Sequence, residues 1–323
     1  LSNTTSSEPF STVRGFRQGD PLSCNLFNFV MEGVLRKAGV HRNGTIFYKC
    51  VQLLAYADDI DIIGRCKRDV TAAFSAIEKE SSRVGLAVNE GKTKYMLSTT
   101  RNTRRVGTHV IADNYTFEVV PEFIYLGTAV NSNNDISLKI KRRTTLANRC
   151  YYGLSKQLSS RALSRMTKLT LYKTLIIPVL LYGAEAWVVS QSDAAALGVF
   201  ERKVLRKIFG PVRVGEDYRS RMNHELYELY AYIDVVQRIA IQRLRWLGHV
   251  VRMDEEAPAK KVFEGEVQGS RRRGRPLLRW KDQVEETLCS LGVQNWRRRA
   301  RSRGAWRELV RSAVTRYRVV MAT

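Results

Sequence analysis

As far as Val130 the chain is broken into short apolar runs separated by turn-forming residues, and beyond Asn131 such runs stop. From there apolar residues recur at helical spacing over long stretches, a change from strand-like to helix-like periodicity that no single sheet or single bundle accommodates. The pattern predicts a first part in which helices pack on an antiparallel sheet, followed by an all-α remainder. At 323 residues the chain has room for two or three domains of roughly 100 to 200 residues each. A second break falls near Val214–Glu216, so the expected regions are 1–130, 131–215 and 216–323.

Within the first region, Thr12–Phe16 reads as a short strand. Asp20 is expected to cap a helix with Pro21 at its first position, since the ring presets a helical φ and the missing N–H is no loss there. Leu22, Leu26, Phe29, Val30 and Leu35 lie close to one face of that helix, and Gly39 ends it. Cys50–Ala57 and Ile60–Gly64 are too short for helices and flank Asp58-Asp59, which predicts a hairpin with the carboxylates at or near its tip. A helix through Val70, Ala73, Phe74, Ile77 and Val84 ends at Gly85. Strands are expected at Leu86–Val88 and Tyr95–Ser98 around "NEGK", and at Tyr115–Val120 and Phe123–Val130 around Pro121. Beyond Asn131 the expected helices cover Ile136–Leu158, Ala162–Ile177, Asp193–Phe209, Arg219–Tyr230, Asp234–Met253, Leu277–Leu291 and Trp296–Tyr317, with an irregular charged segment before the last two.

Charge divides along the same line. Of 54 basic and 31 acidic residues, 16 and 13 fall before residue 131, so the first region is nearly neutral and the rest carries +20 of the total +23. A surplus of that size points to a polyanion such as nucleic acid as partner. The five cysteines include no CxxC pair and only four histidines accompany them, which excludes zinc-ligand spacing and suits a reducing intracellular setting. The most apolar stretch, Leu169–Val189, is interrupted by Lys173, Pro178 and Glu185; a membrane span needs about 18 uninterrupted apolar residues, so a buried helix is expected instead. With Leu1 at its start and Met31 as its first methionine, the sequence reads as a fragment of a longer protein.

"LAYADDID", Leu54–Asp61, places three carboxylates in four residues behind an apolar run. Adjacent aspartates repel unless water or a cation screens them. One reading is a solvated turn. The other is a divalent-metal site, because Mg²⁺ takes hard oxygen ligands and two-metal phosphoryl transfer needs carboxylates on rigid backbone.

The order of motifs bears on that choice. "RQGDPLS" (Arg17–Ser23), "YADD" (Tyr56–Asp59), "GLAVNEGKTK" (Gly85–Lys94) and "FIYLG" (Phe123–Gly127) together resemble the palm of reverse transcriptases, specifically those of non-LTR retrotransposons. The resemblance covers residues 14–130. The later "PVLLYGAEAW", "RLRWLGHVVRM" and "GRPLLRWKD" resemble the C-terminal portion of insect-type endonuclease/reverse transcriptase proteins. It implies an RNA-directed DNA polymerase in which Asp58 binds two catalytic Mg²⁺ ions, Asp59 supports it, and Asp61 matches nothing catalytic. Arg17, Gln18, Gly19 and Tyr56 would touch template and incoming nucleotide, and Lys92 would neutralise or protonate the departing pyrophosphate. Phe123, Tyr125, Leu126 and Gly127 would form the primer grip. Implied partners are an RNA template, a DNA primer or target and deoxynucleotides, without a membrane; the implied location is the nucleus with a cytoplasmic phase.

Each motif also has a plainer reading: a helix cap for "QGDP", a surface lysine for Lys92, an ordinary strand for Phe123–Gly127. The family's earlier palm aspartate has no counterpart here, because residues 1–13 contain no Asp and only Glu8. The expectation is therefore that this chain alone has no polymerase activity. The alternative is a decayed or co-opted relic that binds nucleic acid without catalysis.

The second region matches the polymerase thumb in position, with Lys139, Lys141, Arg142 and Arg143 as candidate phosphate contacts. The third is read as a basic helical nucleic-acid-binding region. There Arg271, Arg272, Arg273 and Arg275, in "RRRGRP", resemble an AT-hook or act as a basic linker gripping nucleic-acid backbone. All five tryptophans lie after Asn131; base stacking is one use for them, and anchoring small helical cores is the other.

Overall fold

A computed structural model describes residues 19–40, 52–98, 107–265 and 278–320. Contacts divide the chain into two compact units: Leu1–Tyr95 with Val106–Val119, and Met96–Arg105 with Val120–Thr323.

In the first unit, α1 (Ser23–Lys37) precedes the hairpin of β1 (Gln52–Tyr56) and β2 (Asp59–Ile63), followed by α2 (Lys67–Arg83). A three-stranded sheet has the order β3 (Lys94–Tyr95), β5 (Tyr115–Val119), β4 (His109–Ala112); β3 runs parallel to β5 and β4 antiparallel to it. Leu53, Ile60 and Ile62 of the hairpin pack on Val34, Leu35 and Ile77, so one hairpin face is fixed to α1 and α2. Phe74 of α2 meets Tyr115 and Phe117 edge-on, at 5.4 and 5.0 Å between ring centres, which ties α2 to the sheet.

Several expectations change here. The first helix starts at Ser23: the Asp20 carboxylate accepts the Leu22 N–H at 2.9 Å and the Asp20 carbonyl accepts from Ser23, so Pro21 lies in a turn before the helix. Its buried residues are Met31, Val34 and Leu35, whereas Leu22, Leu26, Phe29 and Val30 are exposed, Phe29 by 75%. Apolar residues occupy more of this helix than one face, and packing selected the 31/34/35 stripe. Leu86–Val88 is not a strand, because Gly85 takes a left-handed φ of +79° and the Leu86 N–H turns back to the Ser81 carbonyl as part of the helix cap. Thr12–Phe16 lies outside the described residues.

The second unit opens with the hairpin of β6 (Glu122–Tyr125) and β7 (Thr128–Asn131). It continues through α3 (Ile136–Gly153), α4 (Ser155–Ser159), α5 (Arg165–Leu171), a π-helical turn (Tyr172–Ile176) and α6 (Ile177–Leu180) to α7 (Gln191–Phe209). The π turn has a local cause: the Pro178 ring crowds the carbonyl four residues back, and a widened turn relieves it. A hairpin of β8 (Val212–Val214) and β9 (Asp217–Arg219) interrupts the expected all-α stretch, at the place read as a regional break. Next come α8 (Asn223–Tyr230), α9 (Val235–Val251), α10 (Pro258–Glu264), α11 (Trp280–Ser290), α12 (Trp296–Arg301) and α13 (Arg303–Val320). Thus α10 occupies part of the segment read as irregular, and the last expected helix is divided at Ser302.

Two apolar clusters fill this unit. One joins α3, the α5–α6 segment, α7, α8 and the start of α9; the other joins α9 to α11, α12 and α13. The long α9 is therefore shared. Its N-cap Asp234 exchanges hydrogen bonds with Gln237, which fixes where it begins. Tryptophans serve these cores: Trp187 and Trp306 are buried, the Trp306 indole N–H donates to the Leu244 carbonyl at 2.8 Å, and that of Trp280 to the Glu185 carbonyl at 2.7 Å. Among the described residues no helix is long and apolar enough to cross a membrane.

Candidate active site

Tyr56 pairs with Asp59 across the first hairpin, so its loop is the two residues Ala57 and Asp58. Two-residue loops that match strand twist need φ > 0 at the first loop position, and Ala57 supplies it at +52° without being glycine. A left-handed residue with a Cβ is a strained choice, maintained here because the apolar face of both strands is anchored on α1 and α2.

Strand alternation settles the placement of the three carboxylates. Leu53, Ile60 and Ile62 face the helices, so Tyr56, Asp59 and Asp61 share the opposite face, while Asp58 is the unpaired loop residue. Asp58 and Asp59 are exposed, and among the described residues no lysine or arginine lies within ion-pair distance of either. Asp61, opposite Leu54, is half-buried, and burial raises its carboxyl above the ordinary range. These are hard oxygen donors on braced backbone, suited to a divalent ion as two of its ligands. Among the described residues, no group of three His, Cys, Asp or Glu side chains is placed to hold a metal. The fit is to part of a site.

Gly19 takes φ +98° in the turn before α1, and a Cβ there would meet nothing within 4 Å. Glycine is needed there for its backbone conformation; close packing does not require it. Arg17 and Gln18 lie outside the described residues, as do Arg271, Arg272, Arg273 and Arg275. Lys92 is exposed in a turn built by Asn89, whose side-chain oxygen and carbonyl both accept the Lys92 N–H, at 3.1 and 3.2 Å. The turn is tied down further: Glu90 accepts the Thr116 N–H at 2.5 Å, and Lys94 pairs with Glu118 across β3 and β5 at 2.7 Å.

Phe123 and Tyr125 lie half-buried on one face of β6, and Leu126 and Gly127 are the two-residue loop to β7, with φ of +45° and +74°. The loop is clamped from outside. Tyr182 donates its hydroxyl to the Leu126 carbonyl at 2.9 Å, Arg143 donates to the Gly127 carbonyl at 2.6 Å, and the Arg143 guanidinium stacks 4.3 Å over the Tyr182 ring. Arg143, read from sequence as a phosphate contact, is thus engaged in holding the hairpin to α3. Tyr182 was not singled out at all, because its partner is 56 residues away. At the base of the hairpin, Asn131 exchanges hydrogen bonds with the backbone of Asp135, the N-cap of α3.

Comparison with known proteins follows the same outline. Residues 1–130 match the family model described as reverse transcriptase (RNA-dependent DNA polymerase). An uncharacterised transposon-derived protein of Caenorhabditis elegans is 23% identical over 268 residues, covering 81% of this chain and 96% of that protein. The retrovirus-related Pol polyprotein from type-1 retrotransposable element R2 of Nasonia vitripennis is 31% identical over 139 residues, 40% of this chain and 13% of the polyprotein. That of type-2 retrotransposable element R2DM of Drosophila melanogaster is 33% identical over 87 residues, 27% and 8% of the two. The chain therefore spans nearly all of the nematode protein and a small part of each polyprotein. No solved structure matches it.

Proposed function

We propose that this chain, whose residues 1–130 match the reverse transcriptase family model, is part of an RNA-directed DNA polymerase of the non-LTR retrotransposon kind: a partial palm, a thumb-like region at 131–215 and a basic nucleic-acid-binding region at 216–323. The reaction is transfer of a nucleotidyl group from a deoxynucleoside triphosphate to the 3′-hydroxyl of a DNA primer on an RNA template, in the nucleus. The observation that carries the reading is the braced hairpin with Asp58 in its loop and Asp59 beside it. Both are exposed and lack a cationic partner among the described residues, inside the matched segment.

Asp58 and Asp59 would hold Mg²⁺, which when bound would lower the pKa of the primer hydroxyl and offset charge on the leaving pyrophosphate. The chain's own residues position the reactants. In the first unit Gly19 opens the backbone before α1 to template and nucleotide, and Tyr56 stands beside Asp59 on the hairpin's free face; in the second unit, taken by itself, the clamped loop at Leu126–Gly127 is the counterpart of a primer grip. The primer hydroxyl gives up its proton to water as its oxygen bonds to the α-phosphorus, the bond to pyrophosphate breaks, and Lys92 supplies a proton or positive charge to the leaving group.

Among the described residues no third His, Cys, Asp or Glu is placed with Asp58 and Asp59 to hold a metal, and a second reading for the chain by itself is a relic that binds nucleic acid without catalysis. Primer extension on an RNA template with Mg²⁺ separates the two. The comparison is between this chain, the chain joined behind a reverse transcriptase palm segment carrying the further aspartate, and that joined form with Asp58→Ala. Extension by the joined wild-type form alone is the expected result. No extension by any form, with nucleic-acid binding intact, would leave the relic.

A further inference from the structure

One cluster of charge in the second unit is used by neither the hairpins nor the cores. The Tyr232 ring carries three cations: Lys173 Nζ at 4.4 Å from its centre, the Arg238 guanidinium at 4.6 Å and the Arg318 guanidinium at 4.4 Å. They come from the π-helical turn, from α9 and from α13, elements far apart in sequence. Since each lies within 4.6 Å of one point, no two of them are more than about 9 Å apart. A ring has two faces, so at least two of the three share one.

Three positive charges at that separation repel one another, and protein interiors ordinarily set carboxylates among them. Here, among the described residues, no Asp or Glu lies within ion-pair distance of Lys173, Arg238 or Arg318. The acids whose charge reaches Arg238 are committed elsewhere: Asp234 accepts the Gln237 N–H at 2.7 Å, and Glu201 accepts the Val235 N–H at 3.0 Å, both at the N-terminus of α9. Burial, with the guanidiniums of Arg238 and Arg318, holds the Lys173 ammonium below its ordinary pKa. Arg238 donates one N–H to the Tyr230 hydroxyl at 2.7 Å, while its buried Nε has no partner. That Nε is shut away from solvent, so the donors left for a ligand are those of the Lys173 ammonium and the Arg318 guanidinium, which have no carboxylate partner among the described residues. Lys173, Arg238 and Tyr232 are half-buried and Arg318 is exposed, so the cluster is open to solvent.

We propose that Lys173, Arg238 and Arg318, gathered on the Tyr232 ring, form a binding site for a backbone phosphate of nucleic acid. A phosphate offers several anionic oxygens to cations gathered on one ring, at least two of them on the same face, and Lys and Arg share it as point charge and fork. The tyrosine pre-orders the cations before the anion arrives. Tyr232 packs against both apolar clusters, so a phosphate seated there joins helices of one cluster to α13 of the other. This inference rests on the reading of the helical regions as nucleic-acid-binding.

The test is binding of a single-stranded RNA of about 20 nucleotides to the full chain as a function of salt. Three proteins are compared: wild type, Lys173→Gln/Arg318→Gln, and Lys67→Gln/Arg68→Gln, which removes the same charge from exposed positions on α2. The site variant is expected to bind about tenfold more weakly, with the slope of log K against log salt shallower by about 0.7, the share of one single-strand phosphate. Lys173→Arg/Arg318→Lys is expected to keep wild-type affinity, which a purely structural role for the stacked cations would not require. If Lys173→Gln/Arg318→Gln matches the α2 control in affinity and slope, the site is refuted. If inorganic phosphate at equal ionic strength raises the melting temperature of wild type as much as RNA does, the occupant is free phosphate and the backbone assignment falls. Primer extension is not read in this experiment, so the polymerase proposal stands or falls separately.

Discussion

Glu201 is the group whose perturbation follows most directly from its surroundings. It is fully buried on α7, where its carboxylate accepts from the Tyr172 hydroxyl at 3.0 Å, the Tyr227 hydroxyl at 3.3 Å and the Val235 N–H at 3.0 Å. Burial raises its pKa from 4.5 to about 7, against the opposing pull of the Val235 and Tyr172 hydrogen bonds. A folded-state value above the unfolded one means that the native protein binds the extra proton. Its contribution to stability is then complete below pH 4.5 and lost as pH rises through about 7. At 1.36 kcal/mol per pH unit the rise from 4.5 to about 7 amounts to about 3 kcal/mol. Asp234, also raised by burial, adds in the same direction. Glu225 acts oppositely and in another window: its hydrogen bonds from Arg219 and Met222 lower it to about 2, so its share is lost only as pH falls below the ordinary carboxylate range. Glu201→Gln mimics the protonated acid. In urea titrations between pH 4.5 and 8, wild type is expected to lose about 3 kcal/mol more stability with rising pH than Glu201→Gln does. The variant is expected to be the more stable protein at pH 8. Parallel pH profiles for the two proteins would refute the reasoning, since every other titrating group is common to both.

Other outcomes follow from single contacts. Trp306→Ala is expected to cost about 3–5 kcal/mol by denaturant midpoint, because it empties a buried site and removes the indole hydrogen bond to the Leu244 carbonyl; Gly248→Ala, whose Cβ would overlap the Trp306 indole, is expected to cost about 1–3 kcal/mol from the other side of the same contact. Asp58→Ala should leave stability within about 0.5 kcal/mol while removing primer extension in the joined form, and Ala57→Gly should raise stability by up to about 1 kcal/mol by relieving the left-handed φ. Tyr182→Phe removes the hydroxyl that holds the Leu126 carbonyl, and amide exchange at Leu126–Thr128 should quicken severalfold with little change in global stability.

What was legible in the sequence, and what was not, divides by the range of the interaction. The first hairpin could be read because two apolar runs bracket Asp58-Asp59 within a dozen residues, and the capping of α9 because Asp234 and Gln237 are three apart. Trp187 and Trp306 could be assigned to cores from the apolar spacing around them. The face of α1 was misread for a physical reason: Leu22, Leu26, Phe29, Val30, Met31, Val34 and Leu35 cover more of the helix than one stripe, and only the packing partners choose among stripes. The π turn was legible in principle from Pro178, since a proline constrains the turn before it, but its width depends on what packs around Tyr172 and Ile176.

The interactions that give the second unit its polar character leave no local trace. Glu201 stands in "ERK", a triplet that reads as solvent-facing helix; it is buried because Tyr172, Tyr227 and Val235 converge on it from 26 to 34 residues away. The clamp on the Leu126–Gly127 loop and the three cations on Tyr232 are of the same kind, each closed by residues from separate helices. Sequence periodicity reports which residues one helix buries, and it is silent on which charges several helices bring to one point. That is why the nearly neutral region yielded its candidate metal ligands to reading, whereas the +20 of the helical regions gave only a partner class until the fold gathered Lys173, Arg238 and Arg318 on a single ring.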